Sequence, residues 1–175
     1  MDAYQTVVTK LEVREFDSKK PVPKDVKLKV LDAGRVTGSG MNSQHWRFIL
    51  VQDPKNLKQL ANDSTTGPWV AGANFAVIIL TDPKLPFHLI DSGRAAQDMQ
   101  IAAWNEGVAS RLYTGFNDQK MRNDYAIPSN LETTIVIGFG YPAKKITGKR
   151  KNRKSIEEIA YLEKYGNKLE ASKVS

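Results

Sequence analysis

The residue types best suited to chemistry in this sequence are clustered cations. Residues 141–155, YPAKKITGKRKNRKS, contain seven Lys or Arg and no acidic residue. The whole chain has 26 basic and 19 acidic residues, a formal net charge of +7, and removing these seven leaves 19 against 19. The positive charge therefore belongs to one segment and does not describe a uniformly basic surface. Such a segment is either a solvated linker or a binding element for nucleic acid, a membrane surface or a phosphate-bearing small ligand.

Side chains for direct catalysis are scarce. The chain has no Cys, and its two His residues, His45 and His88, are far apart in sequence, so we expect no metal site. Ser39, His45 and Asp91 have the residue types of a hydrolase triad, but nothing in the sequence places them together and there is no G-x-S-x-G elbow. The loop GSGMNS lacks the third Gly of a dinucleotide fingerprint, and ITGKRK lacks the first Gly and the Ser or Thr of a P-loop.

Length and composition indicate one ordinary domain over residues 1–175, since 175 residues with 41% apolar content suit a single packed core. No apolar stretch is long enough to span a membrane, and the charged N-terminus does not fit a signal peptide. We therefore expect a cytoplasmic protein that does not enter a membrane. The basic segment 144–154 contains no aromatic residue on which bases could stack, so we do not expect nucleic acid as its partner.

The hydrophobic pattern predicts an α+β domain with a sheet covered by helices, because helices and strands follow one another without regular βαβ alternation. Four strands are predicted, in WRFILVQD, NFAVIILTD, VASRLYTGF and ETTIVIGFGYP. Helices are predicted over about 2–11, 24–33, 54–61 and 86–107, and a terminal helix over 155–169 that opens on the capping-box sequence SIEE.

Three separated segments look related, and two of them carry clustered cations. The first is KLEVREFDSKKPVP, in which Lys10 and Arg14 would share a face if the first helix continued that far. The second is GSGMNSQHWRFILV, in which a small-residue loop with Ser39 and Asn42 runs into an aromatic residue and a strand. The third is the basic segment itself, where Lys151 and Arg153 precede a helix N-terminus. Cations there oppose the helix dipole unless an anion lies between them and the first turn.

In this order, the segments resemble the FMN-dependent nitroreductase family. KLEVREF with the following PVP is similar to the family's RRSxRxF and PVP, and TGSGMNSQHWRF is similar to APSxxNxQPWxF. The Ala-rich stretch DSGRAAQDMQIAAWNEGVAS, the GYP after the last strand and KNRKSIEE match further family features. The resemblance covers nearly the whole chain and implies a dimeric, nitroreductase-like α+β fold with a central mixed or antiparallel sheet.

The resemblance also implies roles for individual residues. Lys10, Arg14, Lys151 and Arg153 would clasp the FMN phosphate, the last two from the partner subunit or from the returning C-terminus. Ser39 and Asn42 would border the isoalloxazine ring, with Asn42 bonding its polar edge. Thr114 and Gly115 would offer backbone N–H groups to flavin N5 and O4. No catalytic side chain is implied, because the flavin carries the redox chemistry.

The implied activity is transfer of a hydride from NADH or NADPH, through the flavin, to a quinone, nitroaromatic or similar small-molecule electron acceptor, in a homodimer. Two alternatives stay open: a flavoprotein with another reductive task, such as dehalogenation or flavin breakdown, and a basic nucleic-acid-binding protein. Three departures from the family pattern bear on the site. Glu12 replaces the usual Ser beside the phosphate, and Gly38 and His45 each replace a usual Pro in the ring-binding loop.

Overall fold

A computed structural model describes residues 2–146 and 151–174. They form two compact units, one ending at Lys145 and the other beginning at Ile146. The first unit contains helices α1 to α5 and all four strands: α1 (Ala3–Thr9), α2 (Lys24–Arg35), β1 (Arg47–Val51), α3 (Pro54–Asp63), β2 (Phe75–Thr81), α4 (His88–Asn105), β3 (Ala109–Tyr113), α5 (Asp118–Asp124) and β4 (Glu132–Gly140). The prediction of one domain over residues 1–175 stays a prediction.

The sheet is fully antiparallel, with strand order β1-β2-β4-β3. Strand β2 lies inside it and is buried at every position, which explains its uninterrupted apolar sequence FAVIILT. Alternate residues of β2 enter two different cores, because successive side chains of a strand point to opposite faces. Phe75, Val77 and Ile79 pack with α2 and α4, whereas Ala76, Ile78 and Leu80 pack with α3 and α5.

The result is a three-layer α+β unit, as the sequence predicted, with helices on both faces of one antiparallel sheet. The α4 helix fits closely on its face because several of its buried residues are small: Ala95, Ala96 and Ala103 have almost no exposed surface. Residues 12–17 run beside the outer edge of β3 and then beside the residues that follow β4. Val13 N–H donates to the Ser110 carbonyl at 3.1 Å, and Asp17 N–H donates to the Tyr141 carbonyl at 2.8 Å.

Two expectations about helices are wrong. Helix α1 ends at Thr9, so Lys10 and Arg14 do not share a helical face. The predicted terminal helix over 155–169 is a single short turn, α6 (Ile156–Ile159). Its predicted capping box is present, since the Ser155 N–H donates to the Glu158 carboxylate at 2.8 Å.

After α6 the second unit turns back on itself. Gly166 has a φ of 94°, in the left-handed region that glycine tolerates best. Beyond this turn, Lys168 forms a bridge with Tyr161. Within the described ranges 2–146 and 151–174, no helix is both long and apolar enough to cross a membrane.

Candidate functional site

The loop before β1 is the most unusual piece of backbone in the first unit. Met41, Asn42 and Gln44 have φ values of 53°, 54° and 48°, in the left-handed region that residues other than Gly seldom adopt. Such conformations cost of order 1–3 kcal/mol each, less for Asn, and persist where surrounding contacts enforce them. Clusters of them are typical of ligand-binding sites. We call residues 38–45 the ring loop.

Internal hydrogen bonds hold the ring loop and orient its two predicted site residues. The Ser39 hydroxyl oxygen accepts a hydrogen bond from the Gln44 N–H at 3.0 Å, so its own O–H remains able to donate elsewhere. The Asn42 side-chain oxygen accepts from the Gln44 side-chain amide at 3.2 Å, which directs the Asn42 NH₂ group away from that contact. Asn42 is exposed and Ser39 is partly exposed. Both residues can therefore offer a donor to a polar ligand edge.

Behind the ring loop lies a buried side-chain contact between an imidazole and a carboxylate. The His45 Nε2 atom is 3.2 Å from Oδ2 of Asp91, in the first turn of α4, and both side chains are buried. Nothing in the sequence places these two residues together. Within the described part of the chain, the other ring nitrogen of His45 has no hydrogen-bond partner, so it does not contact Ser39. A Ser-His-Asp relay is therefore absent among these three residues.

The predicted phosphate residues of the first unit lie along the β3 edge. Lys10 is buried and its ammonium forms an ion pair with Glu12, which also accepts from the Gln100 side chain at 3.4 Å. Arg14 is exposed, and its guanidinium forms no ion pair with any described residue. The structure thus separates the two cations: Lys10 is neutralised internally, and Arg14 is available to an external anion.

The start of the basic segment lies beside Arg14. The Ala143 N–H donates to the Glu15 carbonyl at 3.0 Å, and the Lys144 ammonium is 2.9 Å from the Glu15 carboxylate. The hydrogen bond and the charge of Lys144 lower the pKa of the Glu15 carboxyl. Lys20 lies 3.8 Å from the centre of the Tyr141 ring. Several cations therefore gather at this corner, which suits a phosphate.

Thr114 and Gly115 follow directly after β3, which ends at Tyr113, although the predicted strand VASRLYTGF included both residues. The Gly115 carbonyl accepts from the N–H groups of Thr65 and Thr66, at 2.8 and 3.3 Å. A Cβ atom on residue 115 would collide with both threonine hydroxyls, so Gly is required for this close approach. Sequence reasoning missed Thr65 and Thr66. The hydroxyl-rich run STTG between two apolar segments was the available signal.

The predicted site residues do not converge within one chain. The ring loop leads into Arg47, which pairs with Leu80 at one end of the sheet on the β1 edge. Lys10 and Arg14 flank the contact with Ser110, at the other end on the β3 edge. The distance across the sheet from β1 to β3, in the order β1-β2-β4-β3, is roughly 14 Å. The distance along β4 from Thr133 to Phe139 adds roughly 20 Å. The two groups therefore occupy diagonally opposite corners.

Lys151 and Arg153 belong to the second unit. Lys151 is partly buried, and Arg153 is exposed with its guanidinium donating to the Asn152 carbonyl at 2.8 Å. Residues 147–150 of the basic segment lie outside the described residues, so the prediction for the segment as a whole stays a prediction. No group of three or more His, Asp or Glu residues in the described ranges could hold a metal ion.

Comparison with known proteins gives this geometry its context. A sequence model of the nitroreductase family matches residues 12–84, which include Arg14 and the whole ring loop. A protein of Archaeoglobus fulgidus, provisionally named as an NADH dehydrogenase or NAD(P)H nitroreductase, is 26% identical over 81% of this chain and 86% of its own. Over residues 12–84 the chain is therefore similar to the nitroreductase family.

Solved structures agree with this assignment. A crystal structure from Bacteroides thetaiotaomicron, provisionally named as an NADH dehydrogenase or NAD(P)H nitroreductase, superposes with a TM-score of 0.83 at 26% identity and covers 91% of this chain and 96% of its own. An FMN-dependent nitroreductase of Clostridium difficile has the same fold, with a TM-score of 0.83 at 21% identity over 91% of this chain and 98% of its own. The nitroreductase-like α+β fold is thereby confirmed.

Proposed function

We propose that this protein is an FMN-dependent oxidoreductase that takes a hydride from NADH or NADPH and delivers reducing equivalents to a small acceptor such as a quinone or nitroaromatic. The observation that carries the proposal is the ring loop, a strained backbone segment that presents a Ser39 hydroxyl and an Asn42 amide in a chain similar to the nitroreductase family. The named relatives support NAD(P)H as the reductant, and one structural neighbour supports FMN.

The residues present fit the cofactor. FMN combines a flat ring with polar edges and a phosphate of close to two negative charges. The ring loop offers neutral donors for the ring, and the corner of Arg14 and Lys144 offers cations for the phosphate. In this proposal Lys151 and Arg153 add to the phosphate site, and the backbone N–H groups of Thr114 and Gly115 face the ring. When bound, FMN supplies the hydride chemistry, and the chain binds and orients it.

The proposal includes a homodimer. Ring-binding and phosphate-binding residues at opposite corners of one sheet can serve one flavin if each site takes one group from each of two chains. Cyclic dimers with isologous interfaces pair such surfaces twice, which would create two equivalent sites. Location in the cytoplasm stays a prediction from the sequence.

The first experiment is the visible absorption spectrum of the purified protein after FMN is added and the excess is removed, followed by anaerobic addition of NADH or NADPH. We expect flavin bands that stay with the protein, bleach with at least one nucleotide and return on addition of a quinone or nitroaromatic. Retention without bleaching would favour a flavoprotein with another reductant. A protein that retains no flavin would overturn the proposal.

An Arg14→Gln variant tests the phosphate corner. We expect its dissociation constant for FMN to rise roughly ten- to hundredfold, the usual value of a charge-assisted hydrogen bond. Its affinity for riboflavin, which lacks the phosphate, should stay unchanged. Arg35→Gln is the matched control, since Arg35 is an exposed arginine of α2 paired with Asp32 at 2.6 Å. Equal losses for FMN and riboflavin would show that Arg14 does not contact the phosphate.

A further inference from the structure

One buried carboxylate joins the ring loop to α4. Asp91 is 1% exposed, and its Oδ2 atom accepts a hydrogen bond from the Gly40 N–H at 2.9 Å. The same oxygen lies 3.2 Å from Nε2 of His45. Gly40 precedes the left-handed residues 41, 42 and 44, and His45 follows them. Asp91 therefore holds the strained stretch at both ends.

The opposite side of this carboxylate faces an arginine that also contacts the ring loop. Nη1 of Arg94 lies 3.8 Å from Oδ1 of Asp91, one helical turn further along α4. A Cβ atom on residue 38 would collide with the Arg94 guanidinium, so Gly38 leaves the space that this side chain occupies. Gly40 and His45 thus contact Asp91, and Gly38 lies against Arg94, one turn further along α4.

These contacts give a common explanation for two sequence features. Gly38 and His45 stand where we noted departures from the family's two prolines, which fix φ through the pyrrolidine ring. Here the same positions are held by side-chain contacts, His45 with Asp91 and Gly38 with Arg94. Where the family has a rigid proline ring at each of these two positions, this chain relies on the side chains of Asp91 and Arg94 on α4.

We propose that Asp91 is a positioning residue that fixes the ring loop in the conformation in which Ser39 and Asn42 meet the cofactor. The proposal rests on the proposed FMN function for its consequence, although the anchoring itself is a property of the protein without cofactor. It assigns Asp91 no contact with substrate or cofactor. Its effect passes through Gly40 and His45.

Amide hydrogen exchange of the apoprotein tests the anchor directly. In Asp91→Ala we expect the Gly40 and Gln44 amides, which donate to Asp91 and Ser39, to exchange at least tenfold faster. Amides of β2 and β4 should keep their protection. Asp91→Asn should give an intermediate result, because its amide oxygen can still accept from Gly40. Asp98→Asn, seven residues further along α4, is the matched control and should leave the loop unchanged.

The cofactor readout follows on the same variants. We expect the FMN dissociation constant to rise at least tenfold in Asp91→Ala, less in Asp91→Asn, and not in Asp98→Asn. If the amides of the ring loop exchange at an unchanged rate in Asp91→Ala, the proposal is overturned. It is also overturned if the amides of β2 and β4 exchange faster by the same factor, because Asp91 would then have a general structural role. If Asp91→Ala fails to fold, the exchange rates of the Gly40 and Gln44 amides in Asp91→Asn decide the test alone. Failure of the wild type to bind FMN would refute the proposed function and leave the exchange result valid.

Discussion

At the scale of single residues, the phosphate corner is notable for a carboxylate. Glu12 occupies a position beside the proposed phosphate site, where an unpaired carboxylate would repel a phosphate. The structure gives it a partner instead, because it neutralises the buried ammonium of Lys10 and accepts from Gln100. Gln100 donates in turn to the Ser110 hydroxyl at 3.1 Å, which ties the N-terminal segment to α4 and β3. Glu12 thus stabilises the segment that carries Arg14 while it withholds Lys10 from an external anion.

Replacing Glu12 by Gln should separate these two effects. We expect the free energy of unfolding of the apoprotein to fall by about 1 kcal/mol, because the Lys10 ammonium loses its ionic partner while Glu12 itself is partly exposed. FMN binding should become several-fold tighter, because Lys10 becomes available to the phosphate. Chemical denaturation and FMN titration would measure the two quantities.

Glu15→Gln provides the control for this prediction. It removes one negative charge from the same corner, but Glu15 pairs with the exposed Lys144 and not with Lys10. Tighter FMN binding in Glu12→Gln alone would assign the gain to Lys10. An equal gain in both variants would mean that only the general field of the corner has changed, and weaker binding in Glu12→Gln would contradict a phosphate role for Lys10.

At this scale, the sequence predicts the role of a residue only where that role depends on its near neighbours in the chain. Arg14 and Ser39 could be identified because short motifs surround them. The Asp91 anchor could not, because its partners Gly40 and His45 are 51 and 46 positions away and only the packing of α4 brings them together. The same reasoning extended the first helix to about residue 11, so that Lys10 and Arg14 would share a face if it continued further, whereas the chain leaves α1 at Thr9 to run beside β3.

At the scale of elements, α3 ends on a buried carboxylate, Asp63, that is only partly hydrogen-bonded. Asp63 is 1% exposed; its Oδ1 accepts from the Gln59 side chain at 3.1 Å, and within the described part of the chain Oδ2 has no hydrogen-bond partner. Gln59 also donates to Asp124 of the α5 end at 2.8 Å. Burial raises the pKa of Asp63, the Gln59 hydrogen bond opposes this, and the nearby charge of Asp124 adds to it.

This raised pKa predicts a definite pH dependence of stability. The folded state keeps the Asp63 proton to higher pH than the unfolded chain, so its contribution to the free energy of unfolding falls as pH rises from about 4 through the folded pKa. Each unit of difference is worth about 1.4 kcal/mol. In Asp63→Asn we expect a smaller fall in stability over this range and a higher stability at pH 7.

Urea unfolding of the wild type and the variant at several pH values between about 4 and 7 measures this prediction. Asp25→Asn, an exposed position in the first turn of α2, is the control and should follow the wild-type profile. Parallel profiles for wild type and Asp63→Asn would show that Asp63 titrates equally in the folded and unfolded states, which would contradict the prediction.

The elements that sequence reasoning found and missed differ in their apolar pattern. All four strands were predicted, most clearly β2 and β4, which are runs of β-branched or other apolar residues that become largely buried. Helix α5 was missed because only Met121 of its seven residues is buried, which leaves no periodicity to detect. The predicted range of helix α6 was too long because a capping box marks where a helix begins and not where it ends. The turn signal at Gly166 lay seven residues beyond its real end.

At the scale of the whole molecule, the sheet itself separates the two halves of the proposed flavin site. The β1 edge carries the ring loop and the β3 edge carries Arg14, with two internal strands between them. No rearrangement of side chains alone could bring Arg14 and Asn42 to one ligand. A site shared between two copies of the chain is the arrangement that keeps both predicted roles.

Subunit complementation would test this sharing. Arg14→Ala and Asn42→Ala should each bind FMN weakly when pure. In a mixed dimer, one site carries both changes and the other takes Arg14 from the Asn42→Ala chain and Asn42 from the Arg14→Ala chain, so it is intact. Refolding an equal mixture should therefore restore tight FMN binding to about one quarter of all sites, because about half of the dimers are mixed.

Two differently tagged preparations of the Arg14→Ala chain, refolded together, provide the control and should recover nothing. If the mixture of Arg14→Ala and Asn42→Ala also recovers nothing, although tandem affinity purification shows that mixed dimers have formed, then each flavin must be held by a single chain. Lys10 and Arg14 could not then serve the same flavin as Ser39 and Asn42, because the sheet keeps them at opposite corners. Recovery confined to the doubly tagged fraction would establish that the phosphate and the ring are held by different subunits.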